Sequence, residues 1–190
     1  TDIIQINSSA FLQKWKDQTG IQDATIKSIR LFLKNISDAE TNKAFFAKTI
    51  VLVEGNTEKW LLSIYAGKLG IEIEKNNIEI INSKGKNNIE KLYLLFNEFK
   101  FKIYVIFDGD FSEQEGEEAN KKLTALLTGH ESGWPESIVD SRYAIFKENI
   151  ETSLRGKIST FSTLETEARR LFGLKPGRNK EIVARHIATM

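Results

Sequence analysis

Two short apolar runs, Thr49-Ile50-Val51-Leu52-Val53 and Tyr104-Val105-Ile106-Phe107, constrain this chain more than anything else in it. Neither alternates apolar with polar residues, so each presents apolar side chains to both of its faces and reads as a strand buried on both. Such strands belong in the middle of a parallel sheet with helices above and below. The rest of the chain supplies them. Residues 8–19 and 22–36 read as helices, the first capped by Ser8 or Ser9, the second with Ile26, Ile29, Leu33 and Ile36 at helical spacing. Ser37–Lys43 is polar and turn-like. After the first run, Gly55 permits a sharp turn, and Asn56 or Thr57 can cap a helix to about Leu69 with Trp60, Leu61, Ile64 and Tyr65 on one face. Then come a strand at Ile78–Ile81, a helix at Asn88–Phe99, a strand at Lys102–Phe107, a helix at Glu113–Leu127 and a strand at Arg142–Phe146. Helices are expected at 149–155, 160–172 and 179–189. The expectation is an α/β fold: a central parallel four-stranded sheet flanked by helices, with additional N- and C-terminal helices.

A chain of 190 residues, 41% hydrophobic, is enough for one globular domain with an appended piece. No stretch approaches the roughly 18–20 continuous apolar residues of a membrane span, and no charged-then-apolar leader opens the chain. The lack of cysteine excludes disulfides, thiolate metal sites and a cysteine nucleophile, and fits a reducing, cytoplasmic location. The opening Thr1-Asp2-Ile3-Ile4-Gln5-Ile6 reads as an element entered midway, so a fragment of a longer protein is expected. The formal charge of +1 gives no global field for nucleic acid. Its distribution is uneven: Asp108, Asp110, Glu113, Glu115, Glu117 and Glu118 fall together without a base, whereas the tail from Arg155 onward is rich in arginine and lysine. That pattern suits either a metal site facing a polyanion or ordinary solvated surface.

Acids sit where the two strongest strands end: Glu54 and Glu58 after the first, Asp108 and Asp110 after the other. Carboxylates at the carboxyl ends of buried parallel strands are badly placed for packing and well placed for a hard cation. In extended chain Asp108 and Asp110 share a face, and Gly109 between them allows close backbone approach. With Glu54 opposite, three carboxylates would repel unless one became neutral or a cation joined them. All-oxygen ligation favours Mg²⁺ or Mn²⁺ over zinc. Each acid also has a plainer role. Glu58 in a first helical turn complements the helix dipole, Glu54 can be a solvated turn residue, and Asp-Gly-Asp is a common turn. After the fourth strand, Glu148 or Glu151 can complete a second metal position. Lys84 and Lys86 flank Gly85 at the same edge and can hold phosphate oxygens, or simply make a charged turn. Lys175 and Lys180, straddling Pro176-Gly177-Arg178-Asn179, can steady charge in a transition state or lie at the surface. His130 and His186 have no partner at metal-ligand spacing.

The segment Phe45-Phe46-Ala47-Lys48-Thr49-Ile50-Val51-Leu52-Val53-Glu54-Gly55-Asn56-Thr57-Glu58, with Asn82-Ser83-Lys84-Gly85-Lys86-Asn87 and Tyr104-Val105-Ile106-Phe107-Asp108-Gly109-Asp110, resembles a TOPRIM domain. More narrowly it resembles the C-terminal nuclease region of the OLD (overcoming lysogenisation defect) family, from about residue 44 onward. The resemblance implies a Rossmann-like TOPRIM nuclease domain over 44–190 with a C-terminal helical extension. Residues 1–43 would be a helical linker closing an upstream ABC-type ATPase domain, through which alone ATP would act. No phosphate-binding loop of the Gly-x-x-x-x-Gly-Lys-Ser/Thr kind occurs here. The family's two-ion site, Mg²⁺ or Mn²⁺, would map to Glu54, Glu58, Asp108, Asp110 and Glu151, with Lys180, or else Lys175, as the catalytic lysine. Asn149 stands where a hydroxyl or acidic ligand is expected, which leaves the second ion's ligation open. Lys84, Lys86, Lys175 and Arg178 would contact DNA. The implied activity is metal-dependent DNA endonuclease cleavage, in phage defence and with a homodimer as one arrangement. The alternative is a non-catalytic DNA-docking or assembly module of a larger ATPase complex. A topoisomerase or primase fragment has less support, since no tyrosine-bearing cleavage domain or zinc ribbon is found.

Overall fold

β1 (Thr49–Val53) and β3 (Lys102–Asp108), the two apolar runs, lie side by side in parallel at the centre of one sheet. The structure, a computed structural model, describes residues 7–68, 71–150 and 152. β2 (Ile78–Asn82) pairs with the outer side of β1, and β5 (Tyr143–Phe146) with the outer side of β3, both parallel. These are the four expected strands. A fifth, β4 (Ile138–Val139), pairs antiparallel to β5 at the edge, giving the order β2-β1-β3-β5-β4. Two exposed residues following Pro135 carry too little pattern to be read as a strand.

The central strands bury both faces, as continuous apolar runs require. Ile50, Leu52, Val105 and Phe107 point to one face, against Ile89, Leu92 and Phe96 of α5 (Lys86–Glu98) and Leu123 and Leu127 of α6 (Glu117–Thr128). Val53, Ile80, Ile106 and Ala144 point to the other, where Leu62 of α4 (Asn56–Lys68) packs. Before the sheet, α1 (Ser8–Thr19) and α2 (Ile26–Ile36) lay Phe11, Trp15 and Ile29 against Leu94 and Leu95 of α5.

Side-chain caps fix the first helix starts. Asn7, rather than Ser8 or Ser9, caps α1, its Oδ1 accepting from the amides of Ser9 and Ala10 at 3.1 Å each. Thr25 and Ser28 form a reciprocal capping box, so α2 begins at Ile26 and not at residue 22. The polar stretch after α2 holds a short helix, α3 (Ala39–Lys43), because Asp38 caps it through the Thr41 amide at 2.8 Å. Helix α6 begins at Glu117 rather than Glu113, since residues 111–114 form a turn. The helices expected at 160–172 and 179–189 lie outside the described residues; of 149–155, only 150 and 152 are described as helical.

Candidate functional site

Register sets the site. Leu52 pairs with Val105, so Glu54, two residues on, stands level with Phe107, and Asp108 lies one step further along its strand. The loop after β2 is clipped over this edge: the Ser83 amide donates to the Val53 carbonyl and the Gly85 amide to the Glu54 carbonyl, both at 2.9 Å. The clip delivers the first residue of α5, Lys86, onto the acids. Its side chain is 6% exposed, and its Nζ donates to Asp110 Oδ2 at 2.5 Å and lies 3.9 Å from Glu54 Oε2. Glycine at position 116 leaves room for it, since a Cβ there would stand 3.1 Å from that ammonium.

Glu54 carries the strain of the site. Its Oε2 is buried without a hydrogen-bond partner. Burial raises its carboxyl most, Lys86 opposes it, and Asp110 and Glu58 add to the rise, which carries the group up to about 7. Glu58 is itself buried, and its Oε2 accepts from the Gly55 amide at 2.8 Å. The helix-start role left open for Glu58 is thus filled, and the same carboxylate also acts on Glu54.

The Asp-Gly-Asp segment is a turn rather than an extended strand, which corrects the shared-face expectation. β3 ends at Asp108, and Asp110 has left-handed backbone (φ 51°). Backbone bonds staple the turn to the exit of β5: Gly109 N to Phe146 O at 2.6 Å, Asp110 N to Glu148 O at 3.0 Å and Phe111 N to Lys147 O at 3.2 Å. A Cβ on Gly109 would stand 2.5 Å from the Lys147 carbonyl, so no side chain fits there. Asp108 is buried, and its Oδ1 accepts from the Ile150 amide at 3.1 Å.

The structure therefore brings Glu54, Glu58, Asp110 and Lys86 together, with Asp108 at the adjoining strand end. Other expected residues point elsewhere or are not described. Lys84 is exposed and bonds Asp38 at 2.8 Å. Burial pushes the Asp38 carboxyl up, but bonds from Lys84 and Thr41 outweigh it and hold the group at about 2. Glu148 accepts from the Ser112 amide at 2.9 Å, and hydrogen bonding from the Ser112 side chain and then its amide lowers the Glu148 carboxyl. His130 is exposed. Glu151, Lys175, Arg178, Lys180 and His186 lie outside the described residues.

As the side chains stand, no three acids or histidines among the described residues ring a single point closely enough to hold an ion. The room between Glu54 and Asp110 holds an ammonium instead. The donor chemistry nevertheless fits a hard divalent cation: carboxylate oxygens only, one of them buried and unsatisfied. Sequence reading missed the burial of Lys86. The expected helix start at Asn88 left Lys86 in a loop; the helix begins at Lys86, where the dipole disfavours positive charge. Ser83, fully buried with an unpartnered Oγ beside this edge, was also missed.

Residues 45–110 match the family model described as "Overcoming lysogenization defect protein-like, TOPRIM domain". Among solved structures, the C-terminal region of the Xanthomonas campestris pv. campestris OLD protein is 16% identical (TM-score 0.46), over 77% of this chain and 79% of that one. The corresponding region of the Burkholderia pseudomallei OLD protein is 18% identical (TM-score 0.46), over 75% of this chain and 72% of that one. No curated protein matches the chain. Residues 45–110, which span β1 to the Asp-Gly-Asp turn, are a TOPRIM domain of the OLD-like family.

Proposed function

We propose that the chain is a DNA endonuclease domain dependent on Mg²⁺ or Mn²⁺. The observation that carries this reading is the buried, unsatisfied Glu54 Oε2 at the strand edge it shares with Asp108 and Asp110. Glu54, Glu58, Asp108 and Asp110 would hold the metal, joined by Glu151. When bound, a divalent ion activates water and stabilises the leaving oxygen of a phosphodiester. Asp108, fixed by the Ile150 amide, and Asp110, fixed by its turn, would keep their oxygens oriented for that task. Lys180 would steady developing charge, and Lys84, Lys86, Lys175 and Arg178 would meet DNA phosphates. An ATPase upstream of Thr1 with residues 1–43 as its closing segment and linker, cytoplasmic location, homodimer formation and a part in phage defence belong to the same proposal. No described helix is long and apolar enough to cross a membrane. Plasmid nicking tests the reading. Asp108→Ala is expected to abolish Mn²⁺-dependent cleavage while the chain stays folded; full nicking by the purified variant sinks it.

One observation favours a second reading, a non-catalytic DNA-docking or assembly module: Lys86 already neutralises part of the acidic edge. Failure of divalent ions to raise the chain's thermal stability supports that module instead.

A further inference from the structure

Lys86 is placed where a lysine costs most. It opens α5, the positive end of that helix dipole, and its side chain is 6% exposed. A buried ammonium is tolerated only when paired, and here its nearest partners are two acids proposed for metal: Asp110 Oδ2 at 2.5 Å and Glu54 Oε2 at 3.9 Å. An ammonium held on those oxygens competes with a divalent ion for their lone pairs and their charge. Two cations sharing them would sit within a few ångströms, where like charges repel strongly away from bulk water. The neighbouring Gly116 contributes no side chain to wedge the lysine in place.

We infer that Lys86 is a placeholder cation, its ammonium holding Glu54 and Asp110 together until a divalent ion enters and displaces it. The inference rests on the metal-dependent reading above and goes beyond it, because Lys86 opposes the ion it prepares for. In the metal-free chain Lys86 lowers the repulsion among the acids; in the loaded chain it must leave.

Calorimetric Mn²⁺ titration of the 190-residue chain and its Lys86→Met variant, at mildly alkaline pH, tests it. The variant is expected to bind Mn²⁺ about tenfold more tightly, equivalent to ~1.4 kcal/mol, which is the scale of one charge-assisted hydrogen bond no longer to be broken. Equal or weaker binding by Lys86→Met overturns the placeholder and leaves metal dependence intact. No Mn²⁺ binding by the unaltered chain overturns both. Should Lys86→Met fail to fold, amine acylation of the unaltered chain, read by mass spectrometry, decides instead. Lys86 labelling is expected to rise severalfold on adding Mn²⁺, with Lys84 as the unchanged internal control; Lys86 labelling that stays the same or falls overturns the placeholder.

Discussion

The central strands end in opposite ways. At their amino edge, Phe45 meets Phe96 and Phe99 edge-to-face at 5.6 and 5.5 Å, and Phe101 stands across from Phe96 at 5.9 Å. Phe96 is fully buried and the partly exposed Phe45 closes over it, so this edge is apolar packing with favourable ring geometry. The carboxyl edge gathers Glu54, Glu58, Asp110 and Lys86, and leaves Glu54 Oε2 and Ser83 Oγ buried without hydrogen-bond partners. Packing alone gives no reason to build the second edge that way. On the function proposed here, one end of the sheet serves stability, and the other gives up stability for a site.

The largest test of that division is Asp108→Ala. Metal-dependent nicking is expected to fall by roughly 10²–10³-fold or more, with thermal melts showing a folded chain. Loss of fold with activity would mean that Asp108 is structural. The mirror experiment is Phe96→Ala, which empties a fully buried position at the other edge. Denaturant unfolding is expected to show a loss of ~3–5 kcal/mol, while Mn²⁺ affinity of the folded fraction holds. Affinity that collapses with stability breaks the separation of the two edges.

A smaller effect sharpens the same contrast through pH. The Glu54 carboxyl, ordinarily near 4.5, is pushed up to about 7 in the folded, metal-free chain. Between those values the folded state keeps a proton that the unfolded state has released, so stability falls as pH rises through the window and levels off above it. Glu54→Gln is expected to flatten that fall and to be more stable by about 1–3 kcal/mol above it in chelator. An unchanged pH profile in Glu54→Gln contradicts this origin. Smallest of all, Lys84→Met breaks only an exposed ion pair with Asp38. It is expected to change stability by less than ~1 kcal/mol and metal binding not at all; a clear change in Mn²⁺ affinity would return Lys84 to the site.

How much of this the sequence discloses follows from what each feature depends on. β1 and β3 are legible because both-face burial leaves a one-dimensional trace in residues 49–53 and 104–107. Placing Glu54 and the Asp-Gly-Asp turn on one edge needs only strand direction. The two-residue strand β4 leaves no periodicity to read. The left-handed Asp110 depends on backbone bonds to Lys147 and Glu148, residues remote in sequence, so the letters left extended chain and turn both open. Lys84 and Lys86, a residue apart, look equivalent as letters. Only the clip of Ser83 and Gly85 onto β1 sends one to solvent and the other among the acids.

The central claim is that the carboxyl edge holds a divalent cation. Thermal unfolding of the 190-residue chain with and without saturating Mn²⁺, in parallel with Asp108→Ala, tests it most directly. A rise in melting temperature with Mn²⁺ that disappears in Asp108→Ala is the expected result. No rise in the unaltered chain, or an equal rise in both, contradicts it.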